Sequence, residues 1–190
     1  MSQLIIGVLV CSDRASAGVY EDRGTRAVTE YLAAKVKSEY DLLAEVVPDE
    51  QTVIEAKLKE WSDEKKCSLI LTTGGTGPAE RDCAPEATVA VVEKIMPGFG
   101  EAMRMTTFPK VPTSILSRAT AGVRGKTFII NLPGSPKAIA ECLDPVFQAI
   151  PHVIRIRGGP ALELHITSTT SERDPNLHHH SGDHDGCGGH

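Results

Sequence analysis

The sequence has no apolar run long enough to span a membrane, no C-x-x-C pair, no internal repeat and no basic excess, and each absence removes a class of protein. A membrane-spanning helix needs about 20 consecutive apolar residues, so no membrane association is expected. A general nucleic-acid binder carries a basic stripe or domain. The formal net charge here is −5, which leaves room only for a local basic pocket. The five cysteines, Cys11, Cys67, Cys83, Cys142 and Cys187, are odd in number and scattered. That usage belongs to a reduced compartment, where most of them serve as small core residues. Residues 1–3 lead straight into a strand-like segment with no basic n-region or cleavage site, so a cytoplasmic location is expected. Two phosphate signatures are also missing: neither the G-x-x-x-x-G-K-[ST] spacing of a P-loop nor the G-x-G-x-x-G order of a dinucleotide fold occurs around the main glycine turn.

What is present is residues 69–88, LILTTGGTGPAERDCAPEAT. A β-branched run ends in a glycine-rich turn, passes an acidic pair and reopens as a helix. Leu69, Ile70, Leu71, Thr72 and Thr73 read as a buried strand, and Gly74, Gly75 and Gly77 permit backbone conformations that a Cβ would block. Pro85 suits the first turn of a helix, whose unpaired amides favour an anion. The turn is therefore either a phosphate loop of its own kind, at the place where open α/β sheets bind ligands, or a tight crossover without a ligand.

The remaining elements alternate. Residues 4–10 (LIIGVLV) form a continuous apolar run suited to a central parallel strand. A helix is expected over residues 25–36, with Val28, Tyr31, Leu32 and Val36 on one face. A second strand follows at 42–47 and stops at Pro48-Asp49-Glu50. Thr52 and Glu55 read as a capping box ahead of a helix whose buried stripe is Ile54, Leu58 and Trp61. After Pro85, the positions Ala87, Val91, Val92 and Ile95 keep helical spacing until Pro97-Gly98 ends the element, and a short helix follows at 99–105. Residues 106–126 show no clean period. Residues 127–132 (TFIINL) form a strand that runs into Pro133-Gly134-Ser135-Pro136, where Ser135 is a natural N-cap and Pro136 a natural first helical residue. The next helix carries Ala138, Ile139, Cys142 and Leu143, and Asp144-Pro145 restarts the chain towards Val153 and Ile154. This order predicts an α/β fold: a three-layer sandwich with a mostly parallel central sheet and helices on both faces. One domain is expected over residues 1–166, followed by a flexible histidine-rich tail at 167–190 whose composition cannot offset the entropy of ordering.

Asp49 and Asp82 both fall just beyond the carboxyl ends of predicted strands. They either hold Mg²⁺ against phosphate oxygens or cap the helices that follow. Ser12-Asp13 is a turn or a ligand pair, and Ser117-Arg118 is an anion contact or ordinary surface. The tail, with His178, His179, His180, His184, His190 and Cys187, carries metal-binding side chains without a defining spacing.

Taken together, TTGGTGPAERDCAPEAT, PGFGEAMR, ILSR at 115–118 and GKTFIINLPGSPKAIAECL resemble the molybdopterin adenylyltransferase family of bacterial stand-alone enzymes and the G domains of plant and animal molybdenum-cofactor proteins. VCSDRASAGVYEDRG and VPDEQ are similar to the family at the corresponding places, and the resemblance covers roughly residues 4–155. It implies a homotrimer that moves AMP from ATP onto the terminal phosphate of molybdopterin and releases pyrophosphate, with Mg²⁺. It implies Asp49 and Asp82 as the essential acidic pair and as Mg²⁺ ligands, and Gly74, Gly75, Thr76 and Gly77 as the phosphate-binding turn. Pro133, Gly134 and Ser135 would add to the nucleotide site, and Ser12, Asp13, Ser117 and Arg118 to the molybdopterin site. Two departures stand out. Cys83-Ala84 replaces the family's usual Val-Thr, removing a hydroxyl that would cap the next helix at a cost of about 1 kcal/mol. No molybdate-insertion domain follows, so insertion would need a separate protein. Two other readings stay open: a molybdopterin-binding relative that does not adenylylate, against which retention of both aspartates speaks, and a scaffold of the same fold that presents a metal-binding tail.

Overall fold

In the computed structural model, which describes residues 3–19 and 21–165, the apolar run near the N-terminus becomes β1 (Ile5–Cys11), with parallel strands on both sides. The chain continues through α1 (Asp13–Ser16), α2 (Arg23–Lys35), β2 (Asp41–Val47), α3 (Gln51–Asp63) and β3 (Leu69–Thr73). Then come α4 (Ala84–Val91), β4 (Lys94–Ile95), α5 (Pro97–Thr107), a 3₁₀ segment (Pro112–Leu116), β5 (Ala121–Arg124) and β6 (Thr127–Leu132). The described part closes with α6 (Pro136–Leu143), a 3₁₀ turn (Phe147–Ala149) and α7 (Ile150–Ile156). The six strands lie in the order β2-β1-β3-β6-β5-β4. The pairings from β2 to β6 are parallel and those from β6 to β4 antiparallel.

Strand alternation sends Ile6, Val8, Leu69, Leu71, Phe128 and Ile130 to one face, where α2, α5, α6 and α7 cover them with Val28, Leu32, Met103, Ile139, Leu143 and Ile154. Leu9, Cys11, Ile70 and Ile129 point the other way, onto Ile54, Leu58 and Trp61 of α3 and Ala87 and Val91 of α4. The expected three-layer sandwich is thus observed, with an antiparallel extension at one edge. Among the described residues no helix is long and apolar enough to cross a membrane.

Several local expectations change. The N-cap of α3 is Glu50, with no side-chain cap bond; Thr52 lies inside the helix, and Glu55 accepts from Gln51 and Lys59, so the T-x-x-E pattern is not a capping box here. α4 stops at Val91, and Ile95 lies on the edge strand β4. Pro97 opens α5 instead of ending α4, since a residue without an N–H is as well suited to starting a helix as to stopping one. The aperiodic stretch 106–126 holds the 3₁₀ segment and the antiparallel strand β5. Ser135 and Pro136 occupy the N-cap and first-turn positions of α6 as expected, although the serine side chain makes no cap bond. The domain boundary at 166/167 and the histidine-rich tail lie outside the described residues.

Candidate active site

The connection from β1 leads to β2 on one side, and α3 then returns the chain to β3 on the other. The loops after β1 and β3 therefore part, opening the crevice at which doubly wound sheets bind ligands. Register makes the crevice rim continuous: Cys11 is level with Val47, Val10 with Thr73, and Thr73 with Leu132. The segments bearing Ser12-Asp13, Asp49, Gly74 to Asp82 and Pro133 to Ser135 all leave the sheet at this one edge. Gly74 is where the walls meet. Its φ is +97°, its N–H donates to the Leu132 carbonyl at 3.1 Å, and a Cβ there would stand 2.3 Å from the Cys11 carbonyl oxygen.

The turn is oriented by what its carbonyls bind. Gly75 O accepts from Ala84 N at 3.1 Å, Thr76 O from Arg118 N at 2.8 Å, and Gly77 O from Arg118 Nε at 2.9 Å. With three successive carbonyls engaged, the N–H groups of Gly75, Thr76 and Gly77 donate to no acceptor among the described residues. Positive φ at Gly74 and Gly75 gives the backbone the curvature of an anion nest. Arg118 also donates to the Asp82 carbonyl at 2.7 Å and pairs with Glu86, so its guanidinium holds the turn and the acidic segment together.

The two predicted aspartates flank this turn. A Cβ on Gly75 would lie 2.9 Å from Asp49 Oδ1, and one on Gly77 would lie 2.8 Å from Asp82 Oδ2. Neither caps a helix, because the N-caps of α3 and α4 are Glu50 and Cys83. Asp82 Oδ2 accepts from Ala79 N at 3.3 Å. Asp49 exchanges hydrogen bonds with Asp13: Asp13 N donates to Asp49 Oδ2, and Asp49 N donates to Asp13 Oδ1, both at 3.0 Å. Asp49 Oδ1 is buried and has no hydrogen-bond partner among the described residues. Burial, reinforced by the Asp13 and Asp82 charges, raises the Asp49 carboxyl above the ordinary range against the opposing pull of the Asp13 N–H and Arg81. Asp13 is shifted the other way, chiefly by its hydrogen bonds from Arg81.

An unsatisfied buried carboxylate oxygen beside a second carboxylate fits a hard divalent cation. Among the described residues no cluster of three or more carboxylate, imidazole or thiolate side chains forms a closed cage. A cation at this place would accordingly take most of its ligands from phosphate oxygens and water, as Mg²⁺ does. The raised Asp49 also carries a stability prediction. A carboxyl whose folded pKa lies above its unfolded value takes up protons on folding, so it destabilises the fold once pH exceeds both values. Asp49→Asn is expected to raise the melting temperature at neutral pH, with the gain shrinking as pH falls into the carboxylate range. Thermal unfolding of both proteins across pH checks this.

The second wall comes from β6. Thr73 Oγ1 donates to the Pro133 carbonyl at 2.8 Å, and a Cβ on Gly134 would sit 3.4 Å from Gly74 Cα, so the two loops are in contact. Ser12 N-caps α1 by accepting from Ala15 N at 3.2 Å. Ser117 and Pro133, with Thr76 and Gly77, line a cavity of about 330 Å³ whose other walls include Met103 and Leu116. Ser117 O accepts from Arg104, and Ser117 Oγ from Ala119 N. Cys11, Cys67 and Cys142 are buried and Cys83 is half-buried. Burial raises all four thiols, Cys67 to about 12, as suits core residues. Ala84 is the first residue of α4 and fully buried, and Cys83 is its N-cap. A hydroxyl at position 84 would lie past the cap position, so its loss is not the loss of a helix cap.

Two contributors were not visible in the sequence. Asn131 is fully buried and donates to Thr72 Oγ1 at 2.9 Å and Thr88 Oγ1 at 2.8 Å, tying the strand before the glycine turn to the helix after it. Arg81 forms a bidentate pair with Asp13, Nε to Oδ2 at 2.9 Å and a terminal nitrogen to Oδ1 at 2.8 Å. Its only sequence signal is its position next to Asp82.

Residues 7–152 match the family described as a probable molybdopterin binding domain. A molybdopterin adenylyltransferase of Helicobacter pylori is 50% identical over 164 residues, covering 86% of this chain and 93% of that protein. The molybdopterin adenylyltransferase of Escherichia coli K12 is 45% identical over 175 residues, covering 86% and 90%. The crystal structure of the molybdopterin biosynthesis enzyme MoaB from Thermus thermophilus superposes with a TM-score of 0.77 at 40% identity, over 85% of this chain and all of that one.

Proposed function

The chain belongs to the family of molybdopterin-binding domains, and on that premise we propose that the crevice between β1 and β3 joins AMP from ATP to the terminal phosphate of molybdopterin, releasing pyrophosphate. It is an adenylyltransferase of molybdenum-cofactor biosynthesis. The observation that supports the site best is the glycine turn, with its carbonyls engaged outwards and three successive N–H groups, beside a buried Asp49 oxygen, that find no partner among the described residues. Such a turn binds phosphate oxygens at a fixed place.

In the reaction an oxygen of the molybdopterin phosphate attacks the α-phosphorus, the bond from that phosphorus to the β-phosphate bridging oxygen breaks, and pyrophosphate leaves with the electron pair. The attacking phosphate is already largely ionised near neutral pH, so no strong base is needed. Alignment and charge neutralisation carry the catalysis. The amides of Gly75, Thr76 and Gly77 bind the triphosphate, and Pro133, Gly134 and Ser135 close its other side. Asp49 and Asp82 would hold Mg²⁺, which supplies charge neutralisation at the phosphate oxygens. Ser12, Asp13, Ser117 and Arg118 border the ground left for molybdopterin, Ser117 through the cavity it lines. Chelation of divalent ions should abolish formation of adenylylated molybdopterin and added Mg²⁺ should restore it; turnover that survives chelation refutes the metal role.

The proposal includes a homotrimer acting in the cytoplasm, with a separate molybdate-insertion protein taking the product. Assembly of copies is supported by an apolar surface on the second half of α5 and the adjoining 3₁₀ segment, where Met105 is 75% and Ile115 62% exposed beside Phe108. Contiguous apolar surface of this kind marks an interface. Ile115→Glu should shift the protein to monomer in sedimentation equilibrium, and an unchanged assembly would place the interface elsewhere.

A further inference from the structure

Arg81 is the cation that spans the crevice. It is carried on the loop between β3 and α4, one residue before Asp82, and its guanidinium forks onto Asp13 at the end of β1 with both bonds under 3.0 Å. Asp13 in turn is locked to Asp49, each backbone N–H donating to the other's carboxylate. Three rim segments, after β1, β2 and β3, are thereby joined through one carboxylate. Asp49 is held with Oδ2 occupied and Oδ1 unpaired towards the glycine turn.

The charge count gives this chain of contacts its meaning. Asp13, Asp49 and Asp82 put three carboxylates on a rim that has to receive anionic phosphates. Arg118 is paired with Glu86, and Arg81 with Asp13. An unpaired Asp13 would add a third negative charge beside the cation and a repulsive neighbour for ATP. We propose that Arg81 is a positioning residue: by neutralising Asp13 it keeps the cation site to two carboxylates and holds Asp49 and Asp82 to face each other across the glycine turn. This rests on the reading of Asp49 and Asp82 as a divalent-cation pair.

The pair is open to solvent, 59% exposed at Arg81 and 41% at Asp13. Exposed ion pairs contribute little to stability, so a role in activity is separable from a role in folding. Arg81→Gln should keep the melting temperature, reduce kcat/KM for ATP by about 100-fold, the cost of a misaligned reacting group, and bind Mn²⁺ more tightly in the absence of nucleotide. Arg81→Lys, which keeps the charge but not the fork, should recover part of the loss. The double variant Asp13→Asn/Arg81→Gln removes both charges and should bring Mn²⁺ affinity back to the wild-type value. Electron paramagnetic resonance of free Mn²⁺ gives affinity independently of turnover. If the double variant binds Mn²⁺ as tightly as Arg81→Gln, or if Mn²⁺ affinity is the same in wild type, Arg81→Gln and the double variant, Arg81 does not act through Asp13 and the proposal fails. Wild-type turnover in the same assay separates this from the parent reading: an inactive wild type that binds no Mn²⁺ refutes the adenylyltransferase site itself.

Discussion

Asp82→Asn should lower adenylylation by about 1000-fold and leave the fold unchanged, because the change removes a charge from the site without removing a contact that holds it. The Asp82 main chain is anchored independently, its carbonyl accepting from Arg118 at 2.7 Å. The side chain contributes one long hydrogen bond, from Ala79 N at 3.3 Å, which the amide oxygen of asparagine can keep. Half-buried replacements without a broken network usually change stability by under about 0.5 kcal/mol. Thermal unfolding should therefore superimpose on wild type while product formation disappears. Turnover near wild type would remove Asp82 from the chemistry.

Two alanine substitutions in the glycine turn should fail in opposite ways. At Gly74 the backbone has φ of +97°, and the new Cβ would stand 2.3 Å from a main-chain carbonyl of β1. A left-handed conformation costs a residue with a Cβ about 1–2 kcal/mol and overpacking about 1–3 kcal/mol, so Gly74→Ala should destabilise the protein by about 3 kcal/mol. At Gly75, φ is +60°, which alanine tolerates at about 1 kcal/mol, and the nearest obstacle is the Asp49 carboxylate oxygen at 2.9 Å. Gly75→Ala should therefore fold, push Asp49 aside and lose at least about 100-fold in turnover. Denaturant unfolding together with initial rates distinguishes the two; a Gly75→Ala enzyme of normal rate would mean that Asp49 Oδ1 does not face the reacting groups.

Legibility in the sequence followed the range of the interaction. β3 and β6 have the bounds read from the chain, because each is a short apolar run ended by Gly or Pro. The crevice followed from the alternation of strands and helices, since parallel connections admit few topologies. Ile95 shows the limit of periodicity: its spacing from Ala87 and Val91 suits a helix, yet its backbone pairs with Gly122 in an antiparallel ladder. β5 was hidden because residues 106–126 carry no clean period of either kind. Residue types placed Asp49 and Asp82, and the family resemblance paired them, but the partners that orient them are remote. Asp13 lies 36 residues from Asp49 and 68 from Arg81. Arg118, read as an anion contact or ordinary surface, places each guanidinium nitrogen on a partner within the site, Gly77, Asp82 or Glu86.

The most direct test of the account follows the label from ATP. Purified protein, molybdopterin and Mg²⁺ are incubated in parallel with ATP labelled at the α- or the γ-phosphate, and the products are separated. α-Label is expected on molybdopterin and γ-label in pyrophosphate, in equal amounts. Label from the γ-phosphate on molybdopterin, or no transfer by folded protein supplied with Mg²⁺, would contradict it.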